Sequence, residues 1–373
     1  MRLVFWQGIL SPHQGSYIRA LAGRPGWSVT VVAEHQITPD RTALGWSVPD
    51  LGRAKIMIPA GRSDAVAIAI AESGHDTIHL LEGIRGRSIV RTVLPILSRR
   101  SARVGVISEA VNSHGIGGHL RRFAYTCGSL RYGSNLDFIL AMGSQGVAWY
   151  RECRFQESKI FPFAYVTEAQ AGCIPQETRP QMSAEFGIAF VGQLVPRKGG
   201  DLLLRALASQ TERNWRLRMM GEGECRAAWE RLARMLGISD KVSFTGALPN
   251  KDGRKIIGSA DLLVLPSRYD GWGAVVNEAL MQGVPVLCSD QCGARDLLAD
   301  PIRGEVFKAG SVDSLGEALT KWIKRGKRTS ELTERIKSWS SCLEGGPVAD
   351  YFAGVLQHVY EAAPRPTPPW CCP

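Results

Sequence analysis

Two carboxylates eight positions apart are the residues in this chain best placed to do chemistry. Asp270 opens the segment Asp270-Gly271-Trp272-Gly273, and Glu278 follows on a short helical stretch among Val275, Val276, Ala279 and Leu280. A carboxylate set among apolar neighbours is costly to bury unless it has partners. A second carboxylate in the loop just before it suggests that both serve a polyhydroxylated ligand. Apolar runs at 262–265 and 284–287 flank the pair. Strand, loop, helix, strand is the unit whose carboxyl strand edge holds ligands in open parallel sheets.

Three further loops sit at strand ends. Residues 191–200, VGQLVPRKGG, follow one apolar run, and their glycines, amides and Lys198 suit a phosphate at a helix start. The spacing is neither GxGxxG nor GxxxxGK[ST], and a tight turn with exposed basic residues accounts for it equally well. Gly221-Glu222-Gly223 and Thr245-Gly246 close the next two runs, where ordinary strand-to-helix turns are the simpler reading of each alone. There is no Asp-x-Asp, no metal site is expected, and lysine and loop amides are the groups that could neutralise a phosphate. Cys288-x3-Cys292 lacks partner ligands at zinc spacing and reads as buried structural thiol.

The elements that must position these residues form two alternations. In the first half, short apolar runs at 3–6, 29–33, 56–58, 77–81, 104–107 and 138–141 are separated by helix-like segments. Runs of this length indicate a buried parallel sheet. A second alternation begins at Ile188 and proceeds through amphipathic and charged helices to the 262–287 segment. The expected fold is α/β, with two doubly wound Rossmann-like domains facing a central cleft. Residues 1–166 form the first domain, 167–187 a polar linker and 188–345 the second. Residues 346–363 are expected as a helix crossing back to the first domain, and the proline-rich 364–373 as a disordered tail ending in Cys371-Cys372.

The chain has 373 residues, 45% hydrophobic and 21% charged, which is ordinary globular composition. No run approaches the ~18 apolar residues of a membrane span, and the N-terminus lacks signal-peptide features. Nine scattered cysteines argue for a reducing, cytoplasmic setting. Residues 1–180 hold 20 Lys and Arg against 13 Asp and Glu, and thus +7 of the formal +10. Between Arg85 and Arg131 there are nine arginines and one acid, Glu109. Such a patch suits an anionic lipid surface or a phosphorylated substrate, and a solvated basic surface equally. No zinc-finger, RNA-binding or helix-turn-helix signature supports nucleic acid.

Taken in order, GQLVPRKG, MMGEGE, VSFTGALP and DLLVLPSRYDGWGAVVNEALMQGVPVL resemble the C-terminal domain of retaining GT-B glycosyltransferases, family 4. The resemblance is strong over about residues 188–300 and looser through the first half. It implies that Glu278 receives the ribose hydroxyls of a nucleotide and that Asp270 receives donor-sugar hydroxyls, with the Trp272 and Gly273 amides nearby. It implies that Lys198 binds the diphosphate, whereas Gln193 occupies the position of the family's arginine, with Arg197 as the available substitute. Gly221, Gly223, Thr245 and Gly246 would complete the donor site. In the first domain, Gly15-Ser16 would be the glycine loop near the donor phosphates, and Glu109 the acidic member of the loop near the reacting carbon. There Ser108 replaces the usual histidine. His114 reads as a loop surface residue, and His13 and His79 have weaker cases still.

The function implied is retaining transfer of a sugar from a nucleotide-diphosphate donor, UDP- or GDP-linked, to a saccharide or lipid-linked acceptor, in bacterial surface polysaccharide or glycoconjugate synthesis. No cofactor is implied. The expected setting is cytoplasmic, with contact at the inner face of the membrane through the basic 85–131 segment. The rival reading is a catalytically weak nucleotide-sugar-binding or scaffolding protein of the same fold.

Overall fold

The computed structural model describes all residues except 44–45, 86–87, 168–184, 213, 249 and 372–373. The chain forms two compact units, the first made of Met1–Pro39, Ser47–Glu168 and Cys342–Pro373, the second of Asp40–Trp46 and Ala169–Ser341. The expected linker, 167–187, falls outside the described residues except for Thr167 and 185–187.

In chain order the first unit begins with β1 (Arg2–Ile9), α1 (Pro12–Ala22) and β2 (Ser28–His35); α2 (Pro39–Ala43), which follows in the chain, falls in the second unit from Asp40 on. It continues with β3 (Lys55–Met57), α3 (Arg62–Ala71), β4 (Thr77–Glu82), α4 (Ser88–Arg99), β5 (Arg103–Ser108), α5 (Gly115–Tyr132), β6 (Phe138–Met142), α6 (Gly143–Glu152) and β7 (Ile160–Phe163). The strands make one parallel sheet in the order β3-β2-β1-β4-β5-β6-β7. Parallel strands covered by helices on both faces are buried on both sides, hence the unbroken apolar run of β1.

The second unit contains β8 (Phe186–Val191), α7 (Gly200–Ala208), β9 (Trp215–Met220), α8 (Arg226–Met235), β10 (Val242–Gly246), α9 (Asn250–Ser259), β11 (Leu262–Leu265), α10 (Val275–Met281), β12 (Val286–Ser289), β13 (Gly304–Phe307), α11 (Val312–Arg325) and α12 (Ser330–Ser340). Its parallel sheet runs β10-β9-β8-β11-β12-β13. Phe190, Trp215, Trp229, Leu319 and Trp322 fill one side of it. At the amino ends of its central strands Asp261 accepts from Gly187 N (2.8 Å) and Arg328 N (3.1 Å). The Arg328 guanidinium donates to the carbonyls of Gly258, Gln282 and Gly283 and to Thr333 Oγ1 at 2.8–3.2 Å. These buried charges are structural, because every bond they make ties one element to the next.

The last helix, α13 (Gly345–Glu361), belongs to the first unit. Phe352 packs on Phe5 and Tyr17, with ring centroids 6.3 and 6.4 Å apart. Tyr351 donates to Pro162 O and Tyr360 to Asp137 Oδ2, both at 2.8 Å. The segment after α13 corrects the expectation of a disordered tail. Trp370 is buried between Tyr351 (5.6 Å) and Phe163 (6.4 Å), and Arg365 stacks over Phe161 at 4.1 Å. Composition suggested disorder, but the tail's one tryptophan has an aromatic seat, and that burial outweighs the prolines.

His79, weighed as a site residue, lies instead in the core of the first unit, where its Nδ1 accepts from Trp6 Nε1 at 3.1 Å. Burial holds its imidazole down at about 4. The unfolded chain therefore takes up this proton first as the pH falls. The stability contributed by the neutral ring is complete above the ordinary value of 6.5 and lost towards about 4. We expect up to about 3 kcal/mol of acid destabilisation from this group. Urea titrations across that range should show a slope in the native protein that is reduced in His79→Gln.

Candidate functional site

The candidate residues of the second unit converge on the carboxyl ends of β10, β9, β8 and β11. Main-chain bonds join the loops there: Gly192 N to Met220 O (3.0 Å), Gly221 N to Gly246 O (2.9 Å) and Leu194 N to Glu222 O (2.9 Å). Such close approach leaves no room for side chains. A Cβ at Gly221 would stand 1.9 Å from Gly192 O, and one at Gly223 2.4 Å from Leu194 O, with φ of 141° and 158°. Gly246 lies beside Glu222, which pairs with Arg226, and Thr245 is exposed at the same edge.

Lys198 and Asp270 meet where the order of strands reverses, between β8 and β11. Lys198 Nζ donates to Asp270 Oδ2 at 2.5 Å, with both side chains little exposed, 13% and 11%. Arg197 is also turned to this carboxylate: its Nη1 lies 3.9 Å from Asp270 Oδ1 and donates to Tyr269 O at 3.0 Å. Ser267 Oγ donates to Asp270 Oδ2 at 3.4 Å. Gln193, in the same loop, is exposed. An open parallel sheet leaves a crevice at such a reversal, because the two loops diverge to opposite faces.

The Asp270 loop is rigidly seated. Asp270 N donates to Gln291 O at 2.9 Å, and the buried Trp272 donates from Nε1 to Asn277 Oδ1 at 2.8 Å. Cys292 Sγ donates to Trp272 O at 2.9 Å, and burial pushes this thiol well up, out of the range of a nucleophile or metal ligand. Glu278 lies on α10, half-buried, and among the described residues its carboxylate has no hydrogen-bond or ion-pair partner. Burial raises it above the usual carboxylate range, while the charge of Arg254 on α9 pulls it down. Asn277, Ser267, Arg254 and Cys292 support the site through contacts that no spacing in the sequence announces.

The first unit holds a separate polar group at the carboxyl ends of β1, β4 and β5. Tyr165 donates to Glu109 Oε1 at 2.5 Å and its ring lies 5.5 Å from that of His13. Glu82 Oε2 accepts from Gly8 N at 2.7 Å, and the buried Gln14 joins Gln7 (2.8 Å) to Tyr17 (2.9 Å). Burial, with Glu109 and Glu82 nearby, pushes the Tyr165 phenol well up, so it stays a donor. The expectation of a glycine loop at Gly15-Ser16 is corrected: both lie inside α1. Ser11 caps that helix by accepting from His13 N (3.3 Å), and Pro12 occupies its first turn, so the chain turns helical directly after β1. Gly15 is a packing glycine, with Pro49 Cβ 2.6 Å from where its own Cβ would be. His114 is exposed at the start of α5. Among the described residues no group of three or more His, Cys, Asp or Glu is placed to hold a metal ion.

The packing of Gly273 is directly testable. Its φ is 90°, and a Cβ would stand 2.7 Å from Cys292 Sγ and 2.8 Å from Leu265 Cδ2. Gly310 has a similar φ of 76° with open space around it. Gly310→Ala should cost about 1 kcal/mol from backbone strain alone, and Gly273→Ala at least about 2 kcal/mol, read as urea midpoints.

Residues 179–339 match the family of glycosyl transferases group 1. An uncharacterized glycosyltransferase of Methanocaldococcus jannaschii is 36% identical over 118 residues, 31% of this chain and 30% of that protein. A GDP-mannose-dependent alpha-(1-6)-phosphatidylinositol monomannoside mannosyltransferase of Mycolicibacterium smegmatis is 27% identical over 179 residues, 44% of this chain and 47% of that protein. The chain thus spans a third to a half of the length of these curated relatives. Among solved structures, Anabaena HepE in complex with UDP superposes with a TM-score of 0.74 at 13% identity, over 96% of this chain and all of that one. Two Rossmann-like units of parallel strands and helices, and a family match that runs through the strand-end loops of the second, make the chain a GT-B-fold protein whose residues 179–339 are related to the group 1 glycosyltransferases.

Proposed function

We propose that the protein is a retaining glycosyltransferase that moves a sugar from a nucleotide-diphosphate donor to a glycan or lipid-linked acceptor. The observation that carries this reading is the Lys198–Asp270 pair at the β8/β11 reversal, with the Glu278 carboxylate, which has no hydrogen-bond or ion-pair partner among the described residues, on the helix that follows. A polyhydroxylated, doubly charged ligand uses every one of these groups. Ribose hydroxyls donate to Glu278, and sugar hydroxyls to Asp270. The diphosphate takes Lys198, with Arg197 in reach of the same point in place of the arginine that Gln193 lacks.

In the reaction the bond between the anomeric carbon and the diphosphate oxygen breaks, and its electron pair leaves with the phosphate. Lys198 and the loop amides stabilise that charge as it develops. The acceptor hydroxyl attacks from the same face and its proton passes to the departing phosphate, so configuration is retained without a protein nucleophile. We assign acceptor recognition to the first unit, where the Glu109–Tyr165 pair offers a fixed carboxylate, and an anionic membrane surface to the same reading as the place where a lipid-linked acceptor resides. The donors of the relatives point to UDP or GDP as the base carrier: one is a GDP-mannose enzyme, and the Anabaena structure holds UDP.

Thermal shifts with UDP-, GDP-, ADP- and TDP-sugars test donor binding, since a ligand at a hundred times its Kd contributes about 2.7 kcal/mol. Glu278→Gln separates function from folding. With the folded-state value raised, the native state holds the proton more tightly, so stability falls as pH rises through the carboxylate range and the ionised group is a net cost at neutral pH. The variant should keep or raise the melting temperature and weaken donor binding at least about tenfold, a loss of about 1.4 kcal/mol; unchanged nucleotide affinity would sink the assignment. Asp270→Asn should spare nucleotide binding and lower transfer, measured as release of free nucleoside diphosphate with acceptor present. Donor binding with no turnover in the native protein would support the rival, a binding or scaffolding role.

A further inference from the structure

Helix α5 carries four of the most exposed large apolar side chains of the protein: Ile116 (81%), Leu120 (66%), Phe123 (71%) and Leu130 (80%). With 3.6 residues per turn they fall, together with the exposed Cys127, in one stripe roughly 80° wide along four turns. The opposite face is the one that packs. Tyr125 is buried edge-on against Trp149 (5.3 Å) and Tyr150 (6.1 Å), and Gly118 is buried under Ser113. The outward stripe is therefore not core that happens to show. It is a second apolar face on a helix whose first face is already satisfied, and contiguous exposed apolar surface of this kind marks an interaction site.

The flanks of the stripe decide between partners. Helix α5 contains Arg121, Arg122, Arg131 and His119 and no acidic residue. Arg131 and His119 border the stripe on its two sides, and Arg122 is displaced from it towards Glu152, with which it pairs at 2.7 Å. Arg121 is turned to Asn112 O at 2.9 Å. A second copy of the same helix would bring no acidic residue to meet Arg131. An anionic bilayer instead offers hydrocarbon to the stripe and phosphate to Arg131 at its border. No helix among the described residues is long and apolar enough to cross a membrane, so the geometry is that of a helix lying in the interface.

We infer that α5 docks this protein on an anionic lipid surface, with Ile116, Leu120, Phe123 and Leu130 inserted and Arg131 and His119 at the headgroups. The place of the contact sharpens the earlier charge-based expectation: of the basic 85–131 segment, the helix with the apolar stripe makes the contact. The use of such docking, access to a lipid-linked acceptor, rests on the transferase reading above; the docking itself does not.

Flotation with vesicles of phosphatidylcholine and phosphatidylglycerol tests it, against vesicles of phosphatidylcholine alone. The native chain should float with the anionic vesicles at about 0.1 M salt and at least about tenfold less at about 1 M, where the Debye length shrinks from about 10 to about 3 Å. The double variant Phe123→Gln with Leu130→Gln should lose at least about tenfold in partitioning, and Arg131→Gln severalfold at low salt only. Both changes are at exposed positions, and donor thermal shifts on the same variants should stay as in the native chain. Native protein that ignores anionic vesicles overturns the inference, as does a double variant that floats undiminished. A native dimer that ignores vesicles and becomes monomeric in the double variant overturns it in favour of a second copy. Flotation with no donor binding would leave this inference standing and strike the transferase reading instead.

Discussion

The arrangement of the loops at the carboxyl ends of β8 and β11 depends on one ion pair, Lys198 with Asp270. Each partner comes from a different loop, one following β8 and one following β11, and neither side chain is well exposed to water. A pair so placed is not free stabilisation, because removing two charges from water costs about as much as their attraction returns. What it fixes is position. Around it the two loops are stitched by Arg268, whose N–H donates to Arg197 O (2.8 Å) and whose guanidinium grips Asp201 at 2.9 and 2.7 Å. Gly199, at φ 69°, lets this loop approach the other so closely that a Cβ would stand 2.0 Å from Pro266 O. Under the proposed transferase reading, a diphosphate would meet a lysine already held in place, and the exchange of one anionic partner for another would need no new desolvation of the cation.

The strand-end glycines answer the same constraint from the other side. Gly192, Gly221, Gly223 and Gly246 all have positive φ, and their loops touch through backbone alone. The loops therefore meet main chain to main chain, and their mutual position is set by hydrogen bonds rather than by side-chain rotamers. Each of these loops alone reads as an ordinary turn. Their meaning comes from adjacency: the order β10-β9-β8-β11 brings together loops far apart in the chain, as where Lys198 meets Asp270 across 72 positions.

Much of this was legible in the sequence for a physical reason. Parallel strands covered on both faces must be continuous apolar runs, so both alternations, the loops that close each run and the Asp270–Glu278 pair stand out. Features that depend on which face packs did not. Gly15-Ser16 reads as a loop until Ser11 and Pro12 are seen to start a helix immediately after β1. Tyr165 meets Glu109 across 56 positions, a pairing no local pattern signals. The tail reads as disordered from its prolines, because its composition does not reveal the aromatic seat for Trp370. In α5 the arginines were visible from the start, whereas the stripe beside them was not, since Tyr125 and Phe123 are equally good core residues until one of them is found inside and the other outside.

Two carboxylates of the second unit, Asp261 and Glu278, differ in how the fold satisfies them. Asp261, at the amino ends of the strands, accepts two main-chain N–H groups, and its neighbour Arg328 spends its guanidinium on three carbonyls and a hydroxyl. Those bonds are all internal, and removing any of them would only leave a buried group unpaired. Glu278, at the opposite edge of the same sheet, is shielded enough for its carboxyl to be raised, yet receives no hydrogen bond from the described residues. Folding alone gives no reason to keep a charge in that state, since glutamine or leucine would cost less there. Satisfied charge at the amino ends holds the sheet together, and unsatisfied charge at the carboxyl ends, carried at the expense of stability, supports the proposal that a ligand completes it.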